Sequence, residues 1–334
     1  QMCIMFGKWN KKMRTMTRLL YTEGKGSFQE RTDYDIPNIA DNEIRVKSVF
    51  TGICRSDIAM MNGKFGPLPL EMQGHEGLGQ VLEIGKDLVG KQQLEIGAYV
   101  ATRGEPAFAD EYNVKAEQFV RVPEADPKYI IEPVACGVNC VLRVRHEVAR
   151  LLEVTIDNPE PKPRAVIVGS GFLAKIIVQT WLIRHPQIPI DIIGSSNKQW
   201  YKDNFDYTLL DDFTNDSGQD TYDIVFDLKE DDRVFNENCV NNNGVIVMAS
   251  EKPNGIDTTL ANLLWKSVTM LFPSPRSSEF FKAMSLSKAW IEAGEISVDG
   301  FWTRGYDRDS EWKKAFSDAN NRQSGYNRGY IKWQ

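Results

Sequence analysis

Two short stretches of the sequence bring together residue types that bind transition metals. The first, GICRSD, carries Cys54 and Asp57, and the second, GHEG, carries His75 and Glu76. Thiolate, imidazole and carboxylate groups are the ligands that zinc takes in proteins, and a catalytic zinc keeps one position open. Cys54, His75 and Glu76 are therefore candidate zinc ligands, with Glu76 and Asp57 also candidates for catalysis. Asp57 is the candidate acceptor for the other ring nitrogen of a metal-bound histidine.

The same residues have a plainer interpretation as a strand and loop of unusual composition. A free cysteine is often buried as a small apolar residue, and a single histidine is more often a packed structural residue than a ligand. A second motif further along the chain favours the metal interpretation, because a substrate held by zinc could meet a nucleotide cofactor across a cleft.

That second motif is a glycine turn, VIVGSGFLA, which follows an apolar stretch and opens an amphipathic one. Gly169 permits a tight turn, Gly171 lets the backbone approach a diphosphate, and Ala174 allows a helix to pack closely on a strand. The helix N-terminus at Phe172 and Leu173 offers free N–H groups to phosphate. The turn predicts a dinucleotide site, although any doubly wound protein contains strand-to-helix turns.

The end of the next strand should select between the two nicotinamide dinucleotides. NAD binders place an acidic residue there to bind the ribose hydroxyls. Here the stretch IDII ends at Gly194, and Ser195, Ser196 and Lys198 follow. Hydroxyl and ammonium groups suit a 2′-phosphate, which a carboxylate would repel. The sequence favours NADP and leaves NAD open, and the alternative for Lys198 is a solvated loop lysine.

Two kinds of sequence pattern must position these motifs. Up to residue 135, short alternating stretches between glycine and proline turns are typical of a small β-barrel. From residue 136, CGVNCVLRVRHEVARLL predicts a helix, and apolar strands, DYTLLD among them, then alternate with helical patterns. This predicts an α/β protein with a doubly wound parallel sheet over residues 136–273. Residues 1–135 and 274–334 would form the barrel domain, because the tail is too short for its own core.

The bulk composition excludes several classes of function. The chain has 334 residues and a net charge of −6, which argues against nucleic-acid or membrane partners. The apolar run KIIVQTWLI is about half of the ~20 residues that span a membrane. Five cysteines without a disulfide-like spacing suit a reducing, cytoplasmic setting. The first twelve residues lack the features of a signal peptide, so we expect an unordered start.

Taken together, the motifs resemble the zinc-dependent medium-chain dehydrogenase/reductase superfamily. The matching stretches occur in the order of that superfamily: GICRSD, GHEGLGQVLEIG, EYNV with VRVP, EPVACGVNCV and the glycine turn. The resemblance covers nearly the whole chain. It implies a GroES-like β-barrel catalytic domain joined to a Rossmann domain. It also implies an NAD(P)-linked enzyme that interconverts an alcohol and its carbonyl by hydride transfer.

The resemblance assigns the zinc ligands residue by residue. Cys54 and His75 would bind zinc, and Glu76 would be a ligand or a carboxylate that exchanges with the zinc water. In the sorbitol dehydrogenase branch a further ligand is a glutamate that opens an EP dipeptide, here Glu132, with Cys136 as its rival. The cysteine-rich lobe of many relatives is replaced by RGEPAFADEY. We therefore expect one catalytic zinc and no structural zinc.

Further roles and a substrate class follow from the same resemblance. Ser56 matches the hydroxyl that passes on the substrate proton, and Arg55 matches a residue that approaches the cofactor diphosphate. Glu132 points to polyols, and weak similarities such as GYIKW point to the ribulose 5-phosphate reductases. We expect a small alcohol, a polyol or sugar phosphate, as substrate. Arg276 is a candidate for a substrate phosphate, or else a surface arginine.

The predicted sheet edge bears on the assembly of the protein, and two other functions stay possible for the same fold. The apolar stretch at residues 267–272 would be an exposed sheet edge unless it pairs, so we expect a homodimer or homotetramer. A zinc-free quinone or enoyl reductase of the same superfamily would need no metal ligands, which this chain has. A degenerate relative would keep the fold and the nucleotide but no activity.

Overall fold

The structure of the protein is a computed structural model. Its two larger sheets differ in type. It describes residues 15–66, 68–91, 93–157, 163–213, 222–229, 232–236, 239–251, 261–323 and 325–333. The expectation for the first twelve residues lies outside these ranges. One sheet is antiparallel except for a single strand pair, and the other is parallel throughout.

Among the described residues, strands and helices alternate mainly in the second half of the chain. The strands are β1 (Thr15–Thr22), β2 (Phe28–Ile36), β3 (Glu43–Gly52), β4 (Gly77–Ile84), β5 (Tyr99–Thr102), β6 (Glu111–Lys115), β7 (Phe119–Val122), β8 (Ala165–Val168), β9 (Ile190–Ile193), β10 (Tyr222–Asp227), β11 (Val240–Met248), β12 (Thr269–Leu271), β13 (Trp302–Asp307) and β14 (Arg328–Lys332). The helices are α1 (Arg55–Met61), α2 (Glu132–Arg143), α3 (Arg145–Asp157), α4 (Phe172–Arg184), α5 (Lys198–Phe205), α6 (Arg233–Asn236), α7 (Ala261–Trp265), α8 (Phe280–Glu292) and α9 (Trp312–Asn321).

The first sheet is the β-rich part that the sequence predicts. Its order is β13-β14-β3-β4-β5-β7, β6 also pairs with β3, and β1 and β2 form a separate antiparallel pair. Ile44, Val46, Val81 and Val100 fill one of its cores. Strand β2 gave no signal in the sequence because most of its side chains are polar and exposed.

The second sheet has the doubly wound parallel order β9-β8-β10-β11-β12. In β8, Ala165 and Ile167 pack into the core on one face, and Val166 and Val168 pack into the core on the other. A strand covered on both faces needs a continuous apolar run, which AVIV provides. The sequence and the structure agree on an α/β protein with a GroES-like barrel and a Rossmann sheet.

The strand predicted at DYTLLD is wrong. Only Leu210 reaches the sheet, where it makes one isolated parallel bridge to Ile193 at the end of β9. Asp211 and Asp212 follow and are exposed, so the segment leaves the sheet after a single residue. This bridge lies on the outer side of β9, where a further strand of the parallel sheet would pair.

The helix that links the two sheets begins earlier than predicted. Helix α2 begins at Glu132, not at Cys136, and Pro133 lies in its first turn, where a missing N–H breaks no helical hydrogen bond. It ends at Arg143, so the single helix predicted beyond residue 136 is two helices, α2 and α3. The earlier start places Glu132 at the helix N-terminus.

The tail returns to the first sheet, as predicted. Strand β14 pairs antiparallel with β3 and parallel with β13, which brings Tyr330 opposite Gly52. The domain boundaries at residues 135/136 and 273/274 stay predictions. None of the described helices has the length and hydropathy that a membrane crossing requires.

Candidate active site

A cavity of about 890 Å³ is lined by residues from both sheets and holds most of the predicted site. Of the described residues that the sequence singled out for the site, Asp57, Ser195, Lys198 and Arg276 do not line it. Those that do are Cys54, Arg55, Ser56, His75, Glu76, Glu132, Cys136, Gly169, Gly171, Phe172, Leu173, Ala174 and Ser196. The two motifs found in the sequence therefore meet at one cavity.

The three residues first proposed as metal ligands lie close enough to share one ion. One ligand atom each of Cys54, His75 and Glu76 lies within 4.8 Å of the other two. Cys54 precedes α1, and the other two residues precede β4. The segments are joined where the backbone N–H of Gly52 donates to the carbonyl oxygen of Glu76 at 2.9 Å.

The three-residue spacing between Cys54 and Asp57 has a structural reason. Cys54 is the N-cap of α1, and Oδ2 of Asp57 accepts a hydrogen bond from its backbone N–H at 2.7 Å, as the carboxylate of a capping box does. Oδ1 of Asp57 lies 3.8 Å from Nδ1 of His75. The buried Asp57 thus positions one predicted ligand through its backbone and faces the ring of another.

The electrostatics of this cluster fit a bound cation. Burial, then Glu76, raises the pKa of Cys54. Burial also raises the pKa of Asp57 to about 7 and raises that of Glu132. For His75, burial lowers the pKa, but Asp57 and Cys54 outweigh it, so the pKa lies well above its usual value. A divalent cation would stabilise the deprotonated form of each donor, and thiolate, imidazole and carboxylate fit zinc.

Glu132 lies beside this cluster. It is buried at the start of α2, and Sγ of Cys136 donates to its Oε1 at 3.4 Å. Burial, then the charge of Glu132, raises the pKa of Cys136 well above its usual value. In this arrangement the Cys136 thiol keeps its proton, which it donates to Glu132. Glu132 therefore stays the predicted additional ligand, and Cys136 stays its rival.

Sequence reasoning missed Arg328, the cation that binds Glu76. Its Nη2 donates to both carboxylate oxygens of Glu76. Its guanidinium carbon lies 4.5 Å from the ring centre of Phe172 and 5.2 Å from that of Trp302. The prediction of Glu76 as a site residue could have prompted a search for a partner, since a carboxylate enclosed in a site requires a cation. Nothing in the sequence, however, showed that residue 328 supplies it.

The glycine turn has the open geometry that a diphosphate needs. Gly169 has φ +127°, a conformation that other residues rarely adopt, and an added Cβ would lie 3.2 Å from Cβ of Leu228. At Gly171 an added Cβ would meet no atom within 4 Å. The backbone at Gly171 therefore faces free space at the N-terminus of α4, as the motif requires.

The loop after β9 is arranged differently from the expectation. Ser196 lines the cavity, and its Oγ lies 2.9 Å from Oγ of Ser170 in the glycine turn. A Cβ at Gly194 would lie only 2.4 Å from that same Oγ of Ser170. This explains why no acidic residue stands at the end of β9. Nζ of Lys198 points to Oδ1 of Asp211 at 3.2 Å, away from the cavity wall.

A different lysine, Lys229, lines the cavity. It follows β10, and its Cγ lies 3.8 Å from the position of a Cβ added to Gly169. The sequence carried a usable signal for it, because ligands of doubly wound sheets bind at the carboxyl ends of the strands. The prediction considered only the loop after β9.

Comparisons with known proteins agree with this geometry. Residues 40–124 match the alcohol dehydrogenase GroES-like domain family. A Sinorhizobium meliloti protein assigned as a zinc-binding dehydrogenase, solved with NADP, matches 96% of this chain and 100% of its own, with a TM-score of 0.69 and 17% identity. L-Idonate 5-dehydrogenase from Escherichia coli matches 96% of this chain and 99% of its own, with a TM-score of 0.71 and 18% identity. Residues 40–124 therefore match that domain family, and the chain as a whole has the fold of these dehydrogenases.

Curated relatives match a shorter stretch of the chain. Prostaglandin reductase-3 from Mus musculus is 31% identical over 124 residues, which is 35% of this chain and 32% of that protein. The match thus spans about a third of that relative's length. The solved structures match nearly the whole chain at low identity, so they establish the medium-chain dehydrogenase/reductase fold and not the reaction.

Proposed function

We propose that the protein is a zinc-dependent oxidoreductase that interconverts an alcohol and its carbonyl compound by hydride transfer. One observation supports the proposal most directly. The donor set of Cys54, His75 and Glu76 and the glycine turn at residues 169–174 line the same cavity. A Lewis acid and a nicotinamide can act on one substrate only if they meet at such a place.

The residues around the cavity have separable roles in this proposal. When bound, zinc supplies a Lewis acid for the substrate oxygen, and the nicotinamide exchanges hydride with the substrate carbon. Cys54 and His75 hold the ion, and Asp57 restrains the cysteine backbone and faces the histidine ring. The hydroxyl of Ser56, at the cavity wall, binds the substrate oxygen and carries its proton onward.

We propose NADP as the preferred dinucleotide, with NAD as the second possibility. Ser196 supplies a hydroxyl at the cavity, and Gly194 leaves no carboxylate to repel a 2′-phosphate. The Sinorhizobium meliloti structure contains NADP, which supports the choice. Lys198 contributes less than the sequence suggested because its ammonium group binds Asp211.

We propose a polyol or a sugar phosphate as the substrate. Glu132 at the cavity and the similarity in fold to L-idonate 5-dehydrogenase support a hydroxylated substrate. Arg276 is not its phosphate ligand. Both terminal nitrogens of that arginine bind Glu105, at 2.7 and 3.2 Å, and the residue does not line the cavity.

We also propose a homodimer or homotetramer in the cytoplasm. The described cysteines are free thiols, which suits a reducing compartment. Strand β12 is an edge of the parallel sheet, and Trp265 and Phe272 beside it are largely exposed. Pairing of two such edges would cover both the strand and the apolar side chains.

A zinc-free reductase is the second candidate, and the similarity to prostaglandin reductase-3 favours it. In that case the half-buried Cys54 and His75 would have no ion to hold. A nucleotide-binding relative without activity is a third candidate.

Metal content, dinucleotide binding and turnover distinguish the three candidates. We would measure zinc per chain, NADPH fluorescence and activity on a panel of polyols, sugar phosphates and simple alcohols with both dinucleotides. The proposal predicts one zinc, bound NADPH and turnover. Cofactor binding and turnover without zinc would support the zinc-free reductase, and NADPH binding without turnover would support the inactive relative.

A matched pair of variants tests the metal assignment. Cys54→Ser should lose zinc and turnover and keep NADPH binding within about threefold, because the thiolate binds the ion and not the dinucleotide. Cys136→Ser is the control and should keep both zinc and turnover. Unchanged turnover in Cys54→Ser would refute the assignment, and zinc loss in Cys136→Ser would identify the rival cysteine as a ligand.

A further inference from the structure

Three arginine side chains reach the cavity from separate parts of the chain. Arg55 is the first residue of α1, Arg322 follows the end of α9, and Arg328 is the first residue of β14. Guanidinium groups repel one another, so a cavity wall that holds three of them favours a negatively charged ligand.

The protein provides these arginines with different partners. Arg328 is neutralised by Glu76. The side chain of Arg322 has no hydrogen bond or ion pair within the part of the chain that the structure describes. Arg322 lines the cavity and is also open to solvent. Partial desolvation at the cavity wall, then the positive charges of Arg55 and Arg328, lowers its pKa. An anion bound at Arg322 would offset both effects.

The backbone fixes the position of Arg322. Its φ is 44°, in the left-handed region, and its N–H closes α9 by donating to the carbonyl oxygen of Asp318 at 2.9 Å. Glycine or asparagine is usual at such a helix end. An arginine is therefore an unusual residue at this helix end, where it lines the cavity.

Two ligands of the proposed function could supply the anion, the dinucleotide diphosphate and the substrate. The diphosphate site at the glycine turn already has a cation, because Lys229 lies beside Gly169. Arg322 lies instead at the metal end of the cavity, because α9, which it ends, packs against α1, the helix that Cys54 caps. That position favours the substrate.

We propose that Arg322 binds an anionic group of the substrate, a phosphate or a carboxylate. This inference rests on the proposed function and narrows it, since the substrate becomes an anionic alcohol or the corresponding carbonyl compound. Arg322 is then a residue that determines specificity and not one that takes part in hydride transfer.

A binding experiment tests Arg322 without any turnover. The protein is saturated with NADPH, so that the diphosphate site is filled, and inorganic phosphate is then titrated by calorimetry. We expect Arg322→Gln to weaken phosphate binding at least tenfold and Arg322→Lys to weaken it less. Arg31→Gln is the control, because Arg31 pairs with Asp33 on the exposed strand β2, and it should bind phosphate like the wild type. Equal phosphate affinity in wild type and Arg322→Gln would overturn the proposal.

A kinetic experiment then separates the two sources of the anion. For a sugar phosphate, Arg322→Gln should lower kcat/KM about a hundredfold, whereas kcat/KM for the matched unphosphorylated polyol and Kd for NADPH should change less than about threefold. A tenfold higher Kd for NADPH with no selective loss for the sugar phosphate would assign Arg322 to the dinucleotide and overturn the proposal. If the wild type oxidises or reduces nothing, the proposed function fails, while the phosphate titration still reports on the anion site.

Discussion

Arg328 donates hydrogen bonds from one nitrogen, Nη2, to both carboxylate oxygens of Glu76, and both side chains are largely buried. The pair joins the segment before β4 to the last described strand, β14. It compensates one of the carboxylates in a cluster that also holds Cys54, Asp57 and Glu132. The candidate metal site therefore depends on the tail of the chain as well as on the barrel.

Loss of this pair should destabilise the protein strongly. In the zinc-free protein, Arg328→Met should lower the free energy of unfolding by about 3 to 5 kcal/mol, because it leaves Glu76 buried without a cation. Urea denaturation measures the effect. Arg304→Met is the control, since Arg304 forms only longer, half-exposed ion pairs, and it should lose about 1 kcal/mol or less. The double variant Glu76→Gln, Arg328→Met should recover part of the loss, and a loss below about 1 kcal/mol in Arg328→Met would show that the pair contributes little.

Lys229 should matter more than Lys198 for dinucleotide binding. Lys229→Met removes the charge of a lysine whose Cγ lies beside the glycine turn, so Kd for NADPH and NADH should each rise about tenfold, which corresponds to one charge-assisted contact. Lys198→Met removes only an exposed pair with Asp211 and should change neither Kd more than about threefold. Fluorescence titration measures both. A larger rise in Kd for Lys198→Met than for Lys229→Met would show that the loop after β9 provides the main phosphate contact.

The free energy of unfolding should fall at acidic pH because of His185. Burial, then the neighbouring Arg184, lowers the pKa of His185 to about 4. The unfolded chain therefore binds more protons than the folded chain between about pH 6.5 and 4, and stability falls as the pH falls through that range. After allowance for the partial exposure of His185, the contribution is about 1 to 2 kcal/mol. Denaturation at pH 7 and at pH 4.5 should show that His185→Gln loses less stability on acidification than the wild type, and equal losses would contradict the assignment.

The exposed edge at β12 should hold two chains together. Trp265 is 83% exposed and Phe272 is 62% exposed. Light scattering should give the wild type at least twice the chain mass of 38.0 kDa. Trp265→Ser with Phe272→Ser should shift it towards the monomer, because apolar area leaves the interface. Val89→Ser, at an exposed apolar residue of the barrel, is the control and should keep the wild-type mass. A monomeric wild type would exclude the proposed assembly.

Local signals in the sequence predicted much of the fold and one half of the site. The stretch AVIV and the glycine turn predicted β8 and α4, because a buried parallel strand and a tight turn each need particular residues within a few positions. The spacing of Cys54 and Asp57 likewise reflects one helix N-terminus.

The other half of the site depends on contacts between distant residues. Arg328 reaches the cavity because β14 pairs with β3, and Arg322 reaches it because α9 packs against α1. No local pattern specifies either contact. Lys229 lies beside Gly169 because β10 neighbours β8 in the sheet, whereas the chain order suggested β9. The start of α2 was misplaced because Pro133 was not recognised as a first-turn proline.

Zinc itself is the most direct test of the central claim. Crystals of the zinc-loaded protein should be measured on both sides of the zinc absorption edge, and an anomalous difference map calculated. The proposal predicts one peak per chain, about 2.3 Å from Sγ of Cys54 and about 2.1 Å from a ring nitrogen of His75, with a carboxylate oxygen completing the protein ligands. A peak at another location, or no peak near Cys54 and His75 in protein that turns over its substrate, would contradict it.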